Sequence, residues 1–235
     1  DYNENELVFN KCNFTNTQLD TGGWKIETSN MNLIFNNDKI IYTYYPVDNF
    51  IIDKFGDIVY STQRSILRKK NNKIEATIYD DEFTNIKDIK INENGDIIVV
   101  DENIIKKISV DNGEITEIHS FNEDVNSVEV YDEGYLVGTN NNIWSISLNG
   151  FVTILLTPQL EESDGFYNLK LFEDKLYFIE EDTLYDPDTI YEYDIKRKIL
   201  NTTITYQDIE KVGSSIEGYY FDKKLIFWTE SNFSQ

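Results

Sequence analysis

Six polar side chains stand where a β-run begins, and a polar ring of that kind could hold a ligand. Asn16, Asn49, Asn85, Asn126 and Asn168 each lie just ahead of or at the start of an apolar run, with Ser215 or Glu217 in the corresponding sixth place. A primary amide carries both donor and acceptor, so amides converging on one opening would suit ordered water, sugar hydroxyls or a peptide backbone. Asn also caps turns where strands start, which is the plainer reading of the same residues. A second constellation is acidic. Glu180, Glu181, Asp182, Asp186 and Asp188 fall within nine residues. Hard cations take oxygen ligands of this type, so calcium is the candidate metal and no other cofactor is expected. EF-hand spacing is absent, and a solvated acidic loop is the alternative.

Catalytic chemistry finds less support. His119 is the single histidine, and any Ser-His-Asp arrangement would have to be centred on it. It alternates with Ile118 at the end of a β-run, where a surface or half-buried strand residue is expected, so no catalytic residue is assigned. Cys12 is the single cysteine, which leaves neither an intramolecular disulfide nor a Cys-based zinc site. Paired carboxylates are too common here to mark a glycosidase by their presence.

The elements that would position these residues are strands. Ala occurs once, at Ala76, while Ile, Tyr, Phe, Val and Thr are abundant. The best helix former is nearly missing and the residues that fit a pleated surface dominate. With 235 residues, 40% hydrophobic and 14% aromatic, the chain can bury a substantial core. Aromatics at strand spacing, such as Tyr60, Tyr177 and Phe178, are expected to be packing. Forty-three acidic residues against 21 basic ones give a formal charge of −22. That balance argues against nucleic acid and anionic lipid as partners. No run approaches the roughly 20 apolar residues of a membrane-spanning helix, so membrane insertion is not expected.

A polar turn between apolar runs recurs as Phe55-Gly56-Asp57, Asn94-Gly95-Asp96, Glu133-Gly134-Tyr135, Glu173-Asp174-Lys175 and Phe221-Asp222-Lys223, at steps of 39, 39, 40 and 48. Turn pairs of this composition supply the positive φ that tight hairpins require. A second turn lies further on in each unit: Asn71-Asn72, Asn112-Gly113, Asn149-Gly150 and Lys196-Arg197. Two hairpins in about 40 residues are one four-stranded propeller blade. The spacing predicts an all-β propeller of four-stranded antiparallel blades, six in number, with five or seven as alternatives. The units run 11–46, 47–83, 84–124, 125–165 and 166–213, and 214–235 is closed with 1–10 through Leu7-Val8-Phe9. The 48-residue step contains the acidic run as an insertion, and insertions on rigid scaffolds tend to carry function.

Asn92-Glu93-Asn94-Gly95-Asp96-Ile97-Ile98-Val99-Val100-Asp101, followed by Asn103-Ile104-Ile105-Lys106-Lys107-Ile108, resembles the NHL and YWTD class of propeller repeats. So does Gly138-Thr139-Asn140-Asn141-Asn142-Ile143-Trp144-Ser145-Ile146-Ser147-Leu148-Asn149-Gly150. The resemblance implies a propeller that recognises a protein, peptide or glycan without catalysis. The alternatives are a carbohydrate-active hydrolase or lyase with carboxylates at the channel mouth, and a structural propeller within a longer chain. Heavy use of Asn, Ile, Lys and Tyr is that of an AT-rich genome, and a bacterial source is expected. An extracellular or cell-surface setting is favoured over a cytoplasmic one.

Overall fold

The computed structural model describes the strands named below and the side chains of residues 47–51, 57–68, 78–79, 82–160, 163–181 and 190–203. Every described regular element is a strand. They group into four-stranded antiparallel meanders in which chain order and spatial order agree. The first is β1 (Leu19–Asp20), β2 (Trp24–Glu27), β3 (Leu33–Asn36) and β4 (Lys39–Tyr42), and the second is β5 (Asn49–Ile52), β6 (Ile58–Ser61), β7 (Ile66–Lys69) and β8 (Ala76–Tyr79). The third holds β9 (Ile86–Ile91), β10 (Ile97–Asp101), β11 (Ile104–Ile108) and β12 (Ile115–Ser120). The fourth holds β13 (Val125–Tyr131), β14 (Gly134–Thr139), β15 (Ile143–Ser147) and β16 (Val152–Leu156). The fifth holds β17 (Ser163–Phe172), β18 (Lys175–Asp182), β19 (Thr189–Asp194) and β20 (Ile199–Ile204), and β21 (Ile216–Asp222) pairs with β22 (Lys224–Thr229).

The first strands pack on one another in succession, β5 on β9, β9 on β13 and β13 on β17, and β21 touches both β17 and β1. Sheets that meet through their first strands and fan outward have the arrangement of a β-propeller. The core lies between neighbouring sheets. Ile51, Val59 and Ile66 of the second meet Ile89, Ile97 and Val99 of the third. Ile98, Val100 and Ile105 of the third meet Val128, Val137 and Ile146 of the fourth. Leu136 and Ile143 of the fourth meet Phe166, Leu169 and Phe178 of the fifth. Strands such as β10 and β14 are buried on both faces, which explains why Ile97-Ile98-Val99-Val100 is a continuous apolar run without alternation. Tyr60, Phe166 and Phe178 are among the largest fully buried side chains. Leu7–Phe9, the expected closing strand, lies outside the described residues.

In each meander the first-to-second and third-to-fourth turns lie at one end. The linkers between sheets and the second-to-third loops lie at the other, called the linker end below. The inserted acidic run begins in the last residues of β18, which sit opposite the start of β17, Gly165 against Glu181 and Ser163 against Asp182.

Candidate functional site: the linker-end mouth

A first strand has one edge facing the axis, with no further strand to pair it, and its N–H and C=O groups need other partners. Side chains from the preceding sheet supply them. Asn49 Nδ2 donates to the Lys87 carbonyl at 3.2 Å, Asp88 Oδ2 accepts from Val128 N–H at 3.1 Å, and Ser127 Oγ accepts from Leu169 N–H at 3.4 Å. Asn49, Asp88 and Ser127 are buried and spaced 39 residues apart. They occupy one position of the repeat, and Asn168 occupies it in the fifth sheet.

Two residues further along, the first strands of the third, fourth and fifth sheets carry Lys90, Glu129 and Lys170, whereas β5 has buried Ile51 there. Lys90 pairs with Asp88 at 3.1 Å. Burial pushes the Glu129 carboxyl above the usual range, against the pull of the Lys90 and Lys170 ammonium groups and the Val130 N–H, with Asp88 adding to the rise. Negative and positive groups therefore face one another across sheets three, four and five.

Towards the linker end of the second strand a second repeated polar position holds Asp101, Thr139 and Glu180, all buried. Asp101 Oδ1 accepts from Thr84 N–H at 2.8 Å and Asn85 N–H at 2.9 Å, and Oδ2 takes Lys106 Nζ at 2.6 Å. Glu180 Oε1 accepts from Gln159 N–H at 2.8 Å and Leu160 N–H at 3.0 Å. Each carboxylate pins the linker that leads into its own sheet. Glu180 Oε2 is buried and has no hydrogen-bond partner among the described residues.

The opening between the fourth and fifth sheets gathers the most varied chemistry. Asn126 Nδ2 donates to Asn140 Oδ1 at 3.0 Å. Gly165, at φ +134°, lies under that pair, and a Cβ there would stand 2.7 Å from Asn126 Nδ2 and 2.8 Å from Asn140 Cα. Half-buried Tyr167 is close by, its hydroxyl 3.4 Å from the Asp164 carbonyl. Burial and the carboxylates of Glu181, Asp164 and Asp124 push its phenol up to about 12. Lys87 approaches Asp124 at 3.5 Å. An aromatic face set among carboxylates and amides can take a cationic group or a hydroxyl-rich one.

The sequence-derived ring is distributed over several repeat positions. Asn49 and Asn168 share one register, the latter at φ +52° in a bulge of β17. Asn85 lies three residues before Asp88, in the linker, where its carbonyl accepts from Glu102 N–H at 3.0 Å. Asn126 lies one residue before Ser127, in a bulge of β13. Asn16 and Ser215 lie outside the described residues, as does the side chain of Glu217 on β21. Of the acidic run, Glu180 turns inward onto the linker, Glu181 is half-buried opposite Gly165, and Asp182 ends β18. Asp186 and Asp188 lie outside the described residues. Among the described residues no three His, Cys, Asp or Glu side chains converge as metal ligands. His119 is on β12, outermost in its sheet, its ring edge-on to Phe121 with centroids 4.6 Å apart. Sequence reasoning missed Asp88, Ser127, Glu129 and Tyr167; the 39-residue spacing of Asn49, Asp88 and Ser127 was the signal for the first two.

No family model and no curated protein matches the chain. Solved structures do. The chain is similar to the extracellular domain of a hybrid two-component system from B. thetaiotaomicron, with a TM-score of 0.66 and 14% identity over 90% of this chain and 31% of that one. It thus spans less than a third of that neighbour's length. It is also similar to a chain of the nidogen/laminin complex, with a TM-score of 0.57 and 14% identity over 73% of this chain and 69% of that one. At these identities the likeness is one of fold, a β-propeller.

Proposed function

We propose that the chain is a non-enzymatic binding module, working at an extracellular or cell-surface location, that recognises a protein partner at the linker-end mouth. The observation carrying this reading is Tyr167 among three carboxylates beside the Asn126–Asn140 amide pair. A lysine or arginine of the partner would place its charge over the phenol ring and within reach of Asp164 and Glu181, while the amides meet its backbone. Two fold neighbours give support: one is described as an extracellular domain, the other comes from a protein–protein complex. A six-bladed ring, with residues 1–10 closing the last blade, is part of the same reading; contact of β21 with β1 supports it.

The test is binding of immobilised wild type and Tyr167→Ala to a Lys/Arg peptide array and to a glycan array, after circular dichroism has verified folding. Retention of basic peptides, weakened about tenfold by Tyr167→Ala, is expected. Equal retention by both proteins refutes the mouth as the site. Glycan capture alone moves the ligand class to sugars, and glycan cleavage favours the hydrolase or lyase alternative.

Calcium at the inserted loop is a second reading, favoured by the buried Glu180 Oε2, which has no partner among the described residues. Calorimetric titration with calcium should give heat and a raised Tm; absence of both refutes it.

A further inference from the structure

The end opposite the linkers carries an unusual pair of side chains. The third-to-fourth turn of the fourth sheet is Leu148-Asn149-Gly150-Phe151. Asn-Gly serves the turn, with Gly150 at φ +80°. Leu148 and Phe151 flank it 71% and 74% exposed. Turn tips are ordinarily polar, and exposed large apolar groups beside one another mark interaction sites. Leu148 is held in place, its N–H donating to the Glu133 carbonyl at 3.1 Å. Val110, 46% exposed, is on the corresponding turn of the third sheet.

Charge at this end is one-sided. The turns of the third and fourth sheets, residues 92–96, 109–114, 131–134 and 147–151, contain exposed Glu93, Asp111, Glu114, Asp132 and Glu133 and neither Lys nor Arg. Basic residues begin on the neighbouring turn of the fifth sheet, Lys196-Arg197-Lys198. Asp132 lies near enough to add to the rise in the Lys196 ammonium that Asp174 chiefly causes. Apolar anchors with carboxylates on one side and cations on the other define both the chemistry and the orientation of what would cover them.

We propose that the Leu148–Phe151 tip and the acidic turns around it dock a basic amphipathic polypeptide segment, its apolar side on Leu148 and Phe151 and its cations over Asp132 and Glu133. The proposal shares with the mouth reading the premise that the partner is a polypeptide, and it concerns a different surface. A second copy of this chain is disfavoured as occupant because the acidic turns would repel their own kind.

Fluorescence anisotropy with a labelled amphipathic Leu/Lys helix, and with a scrambled peptide of equal composition, tests it. The expected result is salt-dependent binding that prefers the amphipathic order, falls about tenfold in Leu148→Asn/Phe151→Asn, and loses much of its salt dependence in Asp132→Asn/Glu133→Gln. In the Tyr167→Ala background, Leu148→Asn/Phe151→Asn should still weaken the remaining binding. Undiminished binding by Leu148→Asn/Phe151→Asn, in the wild-type or the Tyr167→Ala background, or equal binding of the scrambled peptide overturns the proposal. So does a wild-type dimer in sedimentation that Leu148→Asn/Phe151→Asn converts to monomer.

Discussion

Asp101 joins three elements through one carboxylate: β10, which carries it, the linker at Thr84 and Asn85, and Lys106 of β11. Burial opposes its charge, but the Lys106 hydrogen bond and the Asn85 and Thr84 N–H groups outweigh that, and its carboxyl sits below the usual range. A depressed carboxyl stabilises the fold above its unfolded value of about 4 and loses that contribution as pH falls through the folded one. Asp101→Asn should therefore cost about 2 kcal/mol in urea unfolding at neutral pH, and the difference from wild type should shrink in acid. Glu129 has the opposite sign. Its raised carboxyl makes the charged form a burden at neutral pH that is relieved as pH falls through the folded value. Glu129→Gln should raise Tm at pH 7, with the gain narrowing in acid; a lowered Tm at pH 7 would contradict the stated balance of burial against Lys90 and Lys170.

Neighbouring sheets approach closely enough at Gly138, next to last in β14, that a Cβ would lie 2.5 Å from the Phe166 carbonyl oxygen and 2.7 Å from Leu169 Cδ1. Gly138→Ala should force β17 away and cost about 1–3 kcal/mol, read as a lowered urea midpoint. Elements at this scale were largely legible in the sequence. The turns at Asn94-Gly95, at Glu133 and at Asp174 lie between strands as expected, because local turn chemistry and continuous apolar runs both speak for them. The ring of polar residues was harder to read for two physical reasons. Its members share a position and a hydrogen-bonding task but differ in type, Asn, Asp and Ser, so a search for one residue type goes astray. Bulges near Asp101, between Val125 and Ser127, and between Tyr167 and Lys170 shift the register, so Asn85 and Asn126 fall three residues and one residue short of the shared position. Tyr167 gives no sequence signal, since its carboxylate neighbours come from three separate segments.

Over the whole molecule the charge of −22 works against compactness. Screening should relieve it, so Tm is expected to climb as sodium chloride rises from near zero to physiological strength; a flat or falling Tm would mean that local ion pairs such as Lys106–Asp101 outweigh the general repulsion. The bonds from Asn49 to Lys87, from Val128 to Asp88 and from Leu169 to Ser127 all straddle a boundary between units, each unit presenting one half of the contact and receiving the other from its neighbour. A duplicated unit would inherit both halves. A copied gene segment of 39 codons would therefore arrive already matched to the copy beside it, and so would the copy after that. Growth by tandem duplication needs no newly invented seam, and later drift among Asn, Asp and Ser is tolerated so long as one polar atom still reaches across.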